Sequence, residues 1–293
     1  MLKYDSIEEL VKAATQKNKK ISEIVLADEA KQLEKNAADL YAKMAENFKV
    51  MCASVVTGMD PKLKSTSGLT GGEGYKMRAY SDKTKGGLAG EFITRAMSRA
   101  LAVSGCNAAM GRIVATPTAG SCGILPGCLV SLFEEKGYSE KDIIMSIFTA
   151  GAFGMVIAAK ACIAGAEGGC QAECGSASGM AAAALVEVAG GTPEMAANAC
   201  AMAINNQLGL VCDPVAGLVE IPCIKRNVSG VMIAFSAADM ALAGITSAIP
   251  VDECIDAMND IGHAMPASLR ETAMGGLAAT PTGIKLRKKV FGK

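Results

Sequence analysis

The sequence predicts an all-α protein: a single helical domain with Gly-rich active-site loops and an N-terminal helical arm. Three observations lead there. Hydrophobic residues fill 51% of the 293 positions but aromatics only 4%, with no Trp, 17 Met and 32 Gly. Ala, Met, Leu, Val and Ile must therefore fill the core, which suits closely packed helices better than aromatic-rich sheets. Alternating β-branched runs are almost absent. Two long stretches, residues 143–159 and 229–251, are apolar on every side, as helices surrounded by other helices are.

The elements follow in order. Ser6-Ile7-Glu8-Glu9 is a capping-box pattern that opens a helix, and the charged, Ala-rich residues 21–51 read as one long amphipathic segment. Residues 1–50 are expected to form the arm and 51–293 the main helical domain, since the chain turns markedly more apolar after the arm. Further helices are expected at about 87–104, 123–136, 140–164, 178–189, 193–206, 227–248 and 251–265. The basic cluster Lys285, Arg287, Lys288, Lys289 and Lys293 reads as a solvated tail.

Composition also excludes partners. The 29 basic and 29 acidic residues balance, so nucleic acid and anionic membranes find no global attraction. The run at 143–159 falls short of the ~20 residues needed to span a bilayer. The longer run carries Asp239, whose unpaired insertion would cost about 2.5 kcal/mol or more. The opening Met1-Leu2-Lys3-Tyr4-Asp5 has no signal-peptide pattern, so a cytoplasmic, reducing location is expected for the eleven cysteines. Cys52, Cys106, Cys128, Cys162, Cys200 and Cys254 sit in apolar contexts and read as small core residues.

Three others differ. Cys170 in Glu167-Gly168-Gly169-Cys170-Gln171-Ala172-Glu173, Cys212 before Asp213-Pro214, and Cys223 after Pro222 lie among Gly, Pro and acids, where irregular backbone lets sulfurs converge. Three thiolates without an obvious fourth would hold an iron-sulfur cube by three corners and leave one iron open as a Lewis acid. Spacing alone also admits three unrelated core cysteines, and Cys174 remains open as a fourth ligand. The wide spacing disfavours a structural zinc site.

Gly-rich loops between the helices supply anion-binding groups. The first, 64–76, contains Ser65, Thr66, Ser67 and Gly68; the second, 115–126, contains Thr118, Ala119 and Gly120 and runs into a helix N-terminus. Both combine hydroxyls with inward-capable backbone N–H groups and suit a carboxylate or phosphate, although simple helix connections share this composition. A third, 277–283, repeats Thr-Pro-Thr.

These segments, together with Cys212-Asp213-Pro214 through Pro222-Cys223-Ile224-Lys225-Arg226-Asn227 and the stretch 269–278, resemble the alpha subunit of iron-sulfur L-serine dehydratase from about residue 50 onward. The resemblance implies an all-helical catalytic domain with a [4Fe-4S] cluster on Cys170, Cys212 and Cys223. It further implies β-elimination of L-serine to pyruvate and ammonia, with the two loops on the substrate carboxylate and Glu167 or Glu173 meeting the ammonium. The chain is similar to the two-chain type, so a separate beta subunit is the expected partner. The base is the gap: His263, the only histidine, and Lys64 are the internal candidates, and a beta-chain group is a third. Two other functions fit less well. A pyridoxal-phosphate dehydratase using Lys64 or Lys76 needs an α/β framework, and a non-enzymatic iron-sulfur sensor or scaffold would show no response to serine.

Overall fold

A computed structural model describes residues 4–292; residues 1–3 and Lys293 lie outside the described residues. Among the described residues the expected all-α class holds, with thirteen α-helices and no strand. The lack of an α/β framework removes the scaffold that the pyridoxal-phosphate reading requires.

The arm begins with α1 (Ile7–Gln16), which Ser6 caps by accepting a hydrogen bond from Glu9 N at 3.1 Å. The return bond of the expected capping box shifts by one residue, because the Glu9 carboxylate accepts from Asp5 N at 3.0 Å. The single segment expected at 21–51 is two helices, α2 (Ile21–Gln32) and α3 (Ala37–Gly58). Glu34 in the left-handed region breaks the chain, and Asn36 caps the second helix through Ala38 N. Position 50 falls within α3. Ile7, Leu10, Ile21, Val25 and Phe48 of the arm belong to the same hydrophobic core as the helices that follow.

Helix α4 (Glu73–Thr84) is not among the expected helices; it begins inside the loop read at 64–76 and continues through residues given no element, and its low apolar content hid it. After it come α5 (Glu91–Ala108), α6 (Ile124–Lys136), α7 (Glu140–Lys160) and the single turn α8 (Gly165–Gly168). A π-helical turn, Gln171–Gly175, leads into α9 (Ser176–Val188), and then come α10 (Pro193–Asn205), α11 (Cys223–Leu242), α12 (Val251–Ala264) and α13 (Pro281–Phe291). Four of the residues read as a solvated tail, Lys285, Arg287, Lys288 and Lys289, are on α13. Thr280 at its N-cap, Pro281 in its first turn and Gly292 beyond its end delimit this helix.

Every residue of α9 is buried, and α6, α7, α10 and α11 pack around it. Its small residues permit that closeness. A Cβ on Gly179 would come within 2.8 Å of Cys200 Sγ, and one on Gly154 of α7 within 2.8 Å of Met180 Cε. Among the described residues one helix, α7, is long and apolar enough to cross a membrane, but 61% of its apolar window is buried inside the protein. All eleven cysteines are free; Cys52 and Cys162 are half-buried and the other nine buried.

One buried charge joins α5 to α6. Arg99, 1% exposed, binds Glu134 through Nε and Nη2, Glu135 through Nη2 at 2.6 Å and Ser131 through Nη1 at 3.2 Å. Burial pushes the Glu135 carboxyl up, but hydrogen bonds from Arg99 and Arg95 outweigh it and hold the group below its ordinary range. Arg99→Met should cost about 3 kcal/mol in urea unfolding, because it leaves Glu135 with only Arg95. The loss should shrink as pH falls through the carboxylate range, since protonation of a group with a lowered folded pKa removes what it contributes. A change within error at neutral pH would mean that the cluster is energetically idle.

Candidate metal centre

Cys170 and Cys212 are positioned by irregular backbone and Cys223 by the start of a helix. Cys170 follows Gly169, whose φ of 75° brings the chain against Met265 and the Leu210 carbonyl; a Cβ there would lie 2.7 Å from Met265 Cε. The next residue, Gln171, is fully buried and acts as a clamp. Its N–H donates to Leu210 O at 2.9 Å, its side-chain oxygen accepts from Gly209 N at 2.8 Å, and its Nε2 donates to Met258 O at 2.8 Å.

Cys212 is held by its own peptide groups. Its N–H donates to Leu269 O at 2.8 Å and its carbonyl accepts from Glu271 N at 2.7 Å, part of an isolated parallel bridge to Arg270. The adjacent Asp213, 4% exposed, accepts from Arg226 Nη2 at 2.7 Å and from Leu277 N at 2.7 Å. Arg226 also donates to Val211 O at 2.8 Å. Cys223 is the first residue of α11, so Arg226 and Asn227 lie one turn further along the same helix.

The three side chains are 3%, 2% and 7% exposed, and each lies within electrostatic reach of the other two. Cys170 Sγ and Cys174 Sγ are in hydrogen-bond contact at 3.5 Å across the π-helical turn. That contact holds the Cys170 thiol below its ordinary range; burial opposes the shift and the Arg226 guanidinium reinforces it. Burial pushes Cys223 up to about 12 and Cys212 well above its usual value, with the charge on Cys170 adding to both. Cys174 is also raised well above the ordinary range.

The donor set, three buried thiols and no nitrogen ligand, is chemically that of an iron-sulfur cube. Among the described residues no group of three His, Cys, Asp or Glu side chains is close enough to hold one metal ion. A cube makes a different demand, because each thiolate bonds a separate iron at a separate corner. Gly165 packs directly against this group: a Cβ there would lie 2.9 Å from Cys212 Sγ and 2.7 Å from Glu173 Oε2.

Both Gly-rich loops reach this region, and each holds a carboxylate of the chain itself. In the first, Ser67 Oγ and Thr70 Oγ1 donate to Glu220 Oε2 at 2.9 and 2.8 Å, and Ser65 Oγ lies 3.3 Å from Ser67 Oγ. Thr66 and Gly68 are exposed on its outer side, the former tied to Ala108 O through its N–H at 3.0 Å. In the second, Thr118 Oγ1 donates to Glu173 Oε1 at 2.7 Å, and Gly120 is so close to that carboxylate that a Cβ would lie 3.0 Å from it. Ala119 is exposed. Asn227, fully buried, bolts this loop to the cysteine segment: it accepts from Gly123 N and donates to Gly120 O, both at 2.8 Å, and to Cys223 O at 2.9 Å.

Glu173 is half-buried and its carboxyl is raised by burial, with the Thr118 bond opposing. Glu167 is exposed, as are Lys64 and His263, the latter in the last turn of α12. The fold therefore gathers the three cysteines, the two loops and Glu173, and leaves Glu167, Lys64 and His263 at the surface. Sequence reasoning did not single out Gln171, Asp213, Glu220, Arg226 or Asn227 as site residues. All five lie within the two cysteine-bearing motifs; what the sequence lacks is any sign of which polar residues there turn inward.

The model of the family described as serine dehydratase alpha chain matches residues 16–278. The chain is 54% identical over 289 residues to a probable L-serine dehydratase, alpha chain, of Bacillus subtilis, covering 99% of this chain and 96% of that protein. It is 44% identical over 281 residues to the L-serine dehydratase, alpha chain, of Peptoniphilus asaccharolyticus, covering 96% of each. Against the L-serine dehydratase of Streptomyces coelicolor the identity is 38% over 279 residues, 92% of this chain but 60% of that longer protein.

Proposed function

The chain belongs to the serine dehydratase alpha chain family, and on that premise we propose that it is the catalytic alpha chain of an L-serine dehydratase, a lyase that converts L-serine to pyruvate and ammonia. The observation that carries the reading is the joining of Cys170, Cys212 and Cys223 with both hydroxyl-rich loops in one buried region. We assign a [4Fe-4S] cluster to these three cysteines. Such a cluster, when bound, supplies an open iron that acts as a Lewis acid toward the hydroxyl and carboxylate of the substrate.

The residues of the chain do the rest. Arg226 and Cys174 favour the thiolate of Cys170, while Asn227 and Gln171 fix the segments that carry the other ligands. Ser65 and Ser67 on one side and Thr118 and Gly120 on the other line the substrate site, with Thr66, Gly68 and Ala119 on the exposed faces of the same loops; the second loop is turned to the carboxylate. Glu173 and, at the exposed rim, Glu167 add negative charge that draws a cationic substrate toward the site. Removal of the Cα proton needs a base, for which Lys64 and His263 are the internal candidates and a group of the beta chain the alternative.

The direct test is pyruvate formation from L-serine and L-threonine under anaerobic conditions by protein reconstituted with iron and sulfide in the presence of its beta chain. Protein that holds a cluster but forms no pyruvate would refute the reading. Ser67→Ala and Thr118→Ala should each lower kcat/KM about tenfold with the visible absorbance unchanged, because each removes a hydroxyl bonded to a site carboxylate. Unchanged kinetics in both variants would remove the loops from the substrate site, and lost absorbance would make them structural.

A further inference from the structure

Glu220 is a buried carboxyl group that no basic side chain among the described residues faces. It is 6% exposed, lies three residues before Cys223, and receives two hydroxyl hydrogen bonds on Oε2, from Ser67 and Thr70. Among the described residues no donor reaches its Oε1 and no basic side chain pairs with it. Its neighbour in the motif, Asp213, is equally buried but faces Arg226. Burying a carboxylate costs several kcal/mol unless a cation or enough donors compensate it, and two neutral hydroxyls compensate only part.

Burial without a counter-charge is not enough to define a receptor. Glu187, 5% exposed, also lacks an ion pair, yet it accepts from Ser22 N and Thr149 Oγ1 and thereby joins three helices. Glu220 differs in its place, on the loop between two of the cysteines and facing the Ser65–Thr70 turn. That turn has the hydroxyls expected to receive a substrate carboxylate, but it already holds one. Its outward polarity is thus reversed: it presents a negative group and is suited to the cationic end of an amino acid. Glu173 has less room for that role, since its oxygens close on Gly120 and Gly165 too tightly to admit even a methyl group.

We propose that Glu220, held by Ser67 and Thr70, is the receptor for the α-ammonium group of the substrate and restricts the site to amino acids over the corresponding hydroxy acids. The proposal rests on the serine dehydratase reading and names its specificity-determining residue.

The test compares L-serine with glycerate, in which a hydroxyl replaces the ammonium, on the reconstituted holoenzyme with its beta chain. Glu220→Gln keeps an acceptor for Ser67 and Thr70 and removes only the charge. It should raise the KM for serine about 10- to 100-fold, more than it lowers kcat, while competitive inhibition by glycerate stays the same or tightens and the visible absorbance is retained. Glu220→Asp should recover part of the serine affinity, and Glu187→Gln should leave the serine-to-glycerate ratio at the wild-type value. Parallel weakening of serine and glycerate, an unchanged serine KM, or loss of the cluster in Glu220→Gln would overturn the assignment. Wild-type holoenzyme inert toward serine would instead overturn the dehydratase reading.

Discussion

Replacing Cys170, Cys212 or Cys223 with Ser should abolish the broad visible absorbance of the anaerobically reconstituted protein, and serine turnover with it. In the proposed centre each cysteine holds one of three corners, and with only three protein ligands none is redundant. The thiols of Cys212 and Cys223 are held well above neutral pH by burial and by the charge on Cys170, so iron must displace their protons to bind. A serine hydroxyl at the same place gives up its proton far less readily. Cys174→Ser is the internal control. Its hydroxyl can still donate to Cys170, so most of the iron should remain; Cys174→Ala, lacking the donor, should weaken iron binding by about 10-fold or more, as loss of a group that orients a ligand does. Full iron content in any of the three single variants would strike that residue from the ligand set, and complete loss in Cys174→Ser would make it a ligand.

Addition of a beta chain should raise the turnover of the reconstituted alpha chain by about 100-fold or more without changing its iron content. The magnitude is that of one positioned general base. The internal candidates, Lys64 and His263, are both exposed, and the close relatives from Bacillus and Peptoniphilus are themselves named alpha chains. A partner seated at the centre would also cover Met274, Leu277, Ile284 and Phe291, exposed apolar residues on the segment that Asp213 ties to the cysteines. Measuring iron content and pyruvate formation on the same sample separates assembly from chemistry. An alpha chain fully active alone would return the search for the base to His263 and Lys64.

The sequence revealed the class of fold through what the core must be made of, and it revealed the centre through three cysteines in irregular surroundings. Boundaries were less legible where tertiary contacts outweigh local pattern. Residues 21–51 look continuous because the break at Glu34 depends on a left-handed turn that no Gly announces. Helix α4 was hidden by its polar surface, and α13 by being taken for a tail although Thr280, Pro281 and Gly292 marked its ends. In the site, the loops' affinity for carboxylates was readable from their hydroxyls. That the carboxylates would be Glu220 and Glu173 was not, because the partners lie 150 and 55 residues away in sequence. Long-range pairing of this kind leaves no periodic trace.

The main-chain link between Cys212 and residues 269 and 271 sets an order of events in time. Helices such as α9 and α10 are neighbours along the chain and can close on each other early. The centre instead needs segments from near residues 67, 118, 170, 212 and 270 together, and the entropy of closing such long loops is spent before their contacts reward it. A newly made chain should therefore pass through a stage in which the helical body has condensed while the three thiols are still apart and reachable. If the three thiols are cluster ligands, iron should load most readily in that interval, and air should do most harm there.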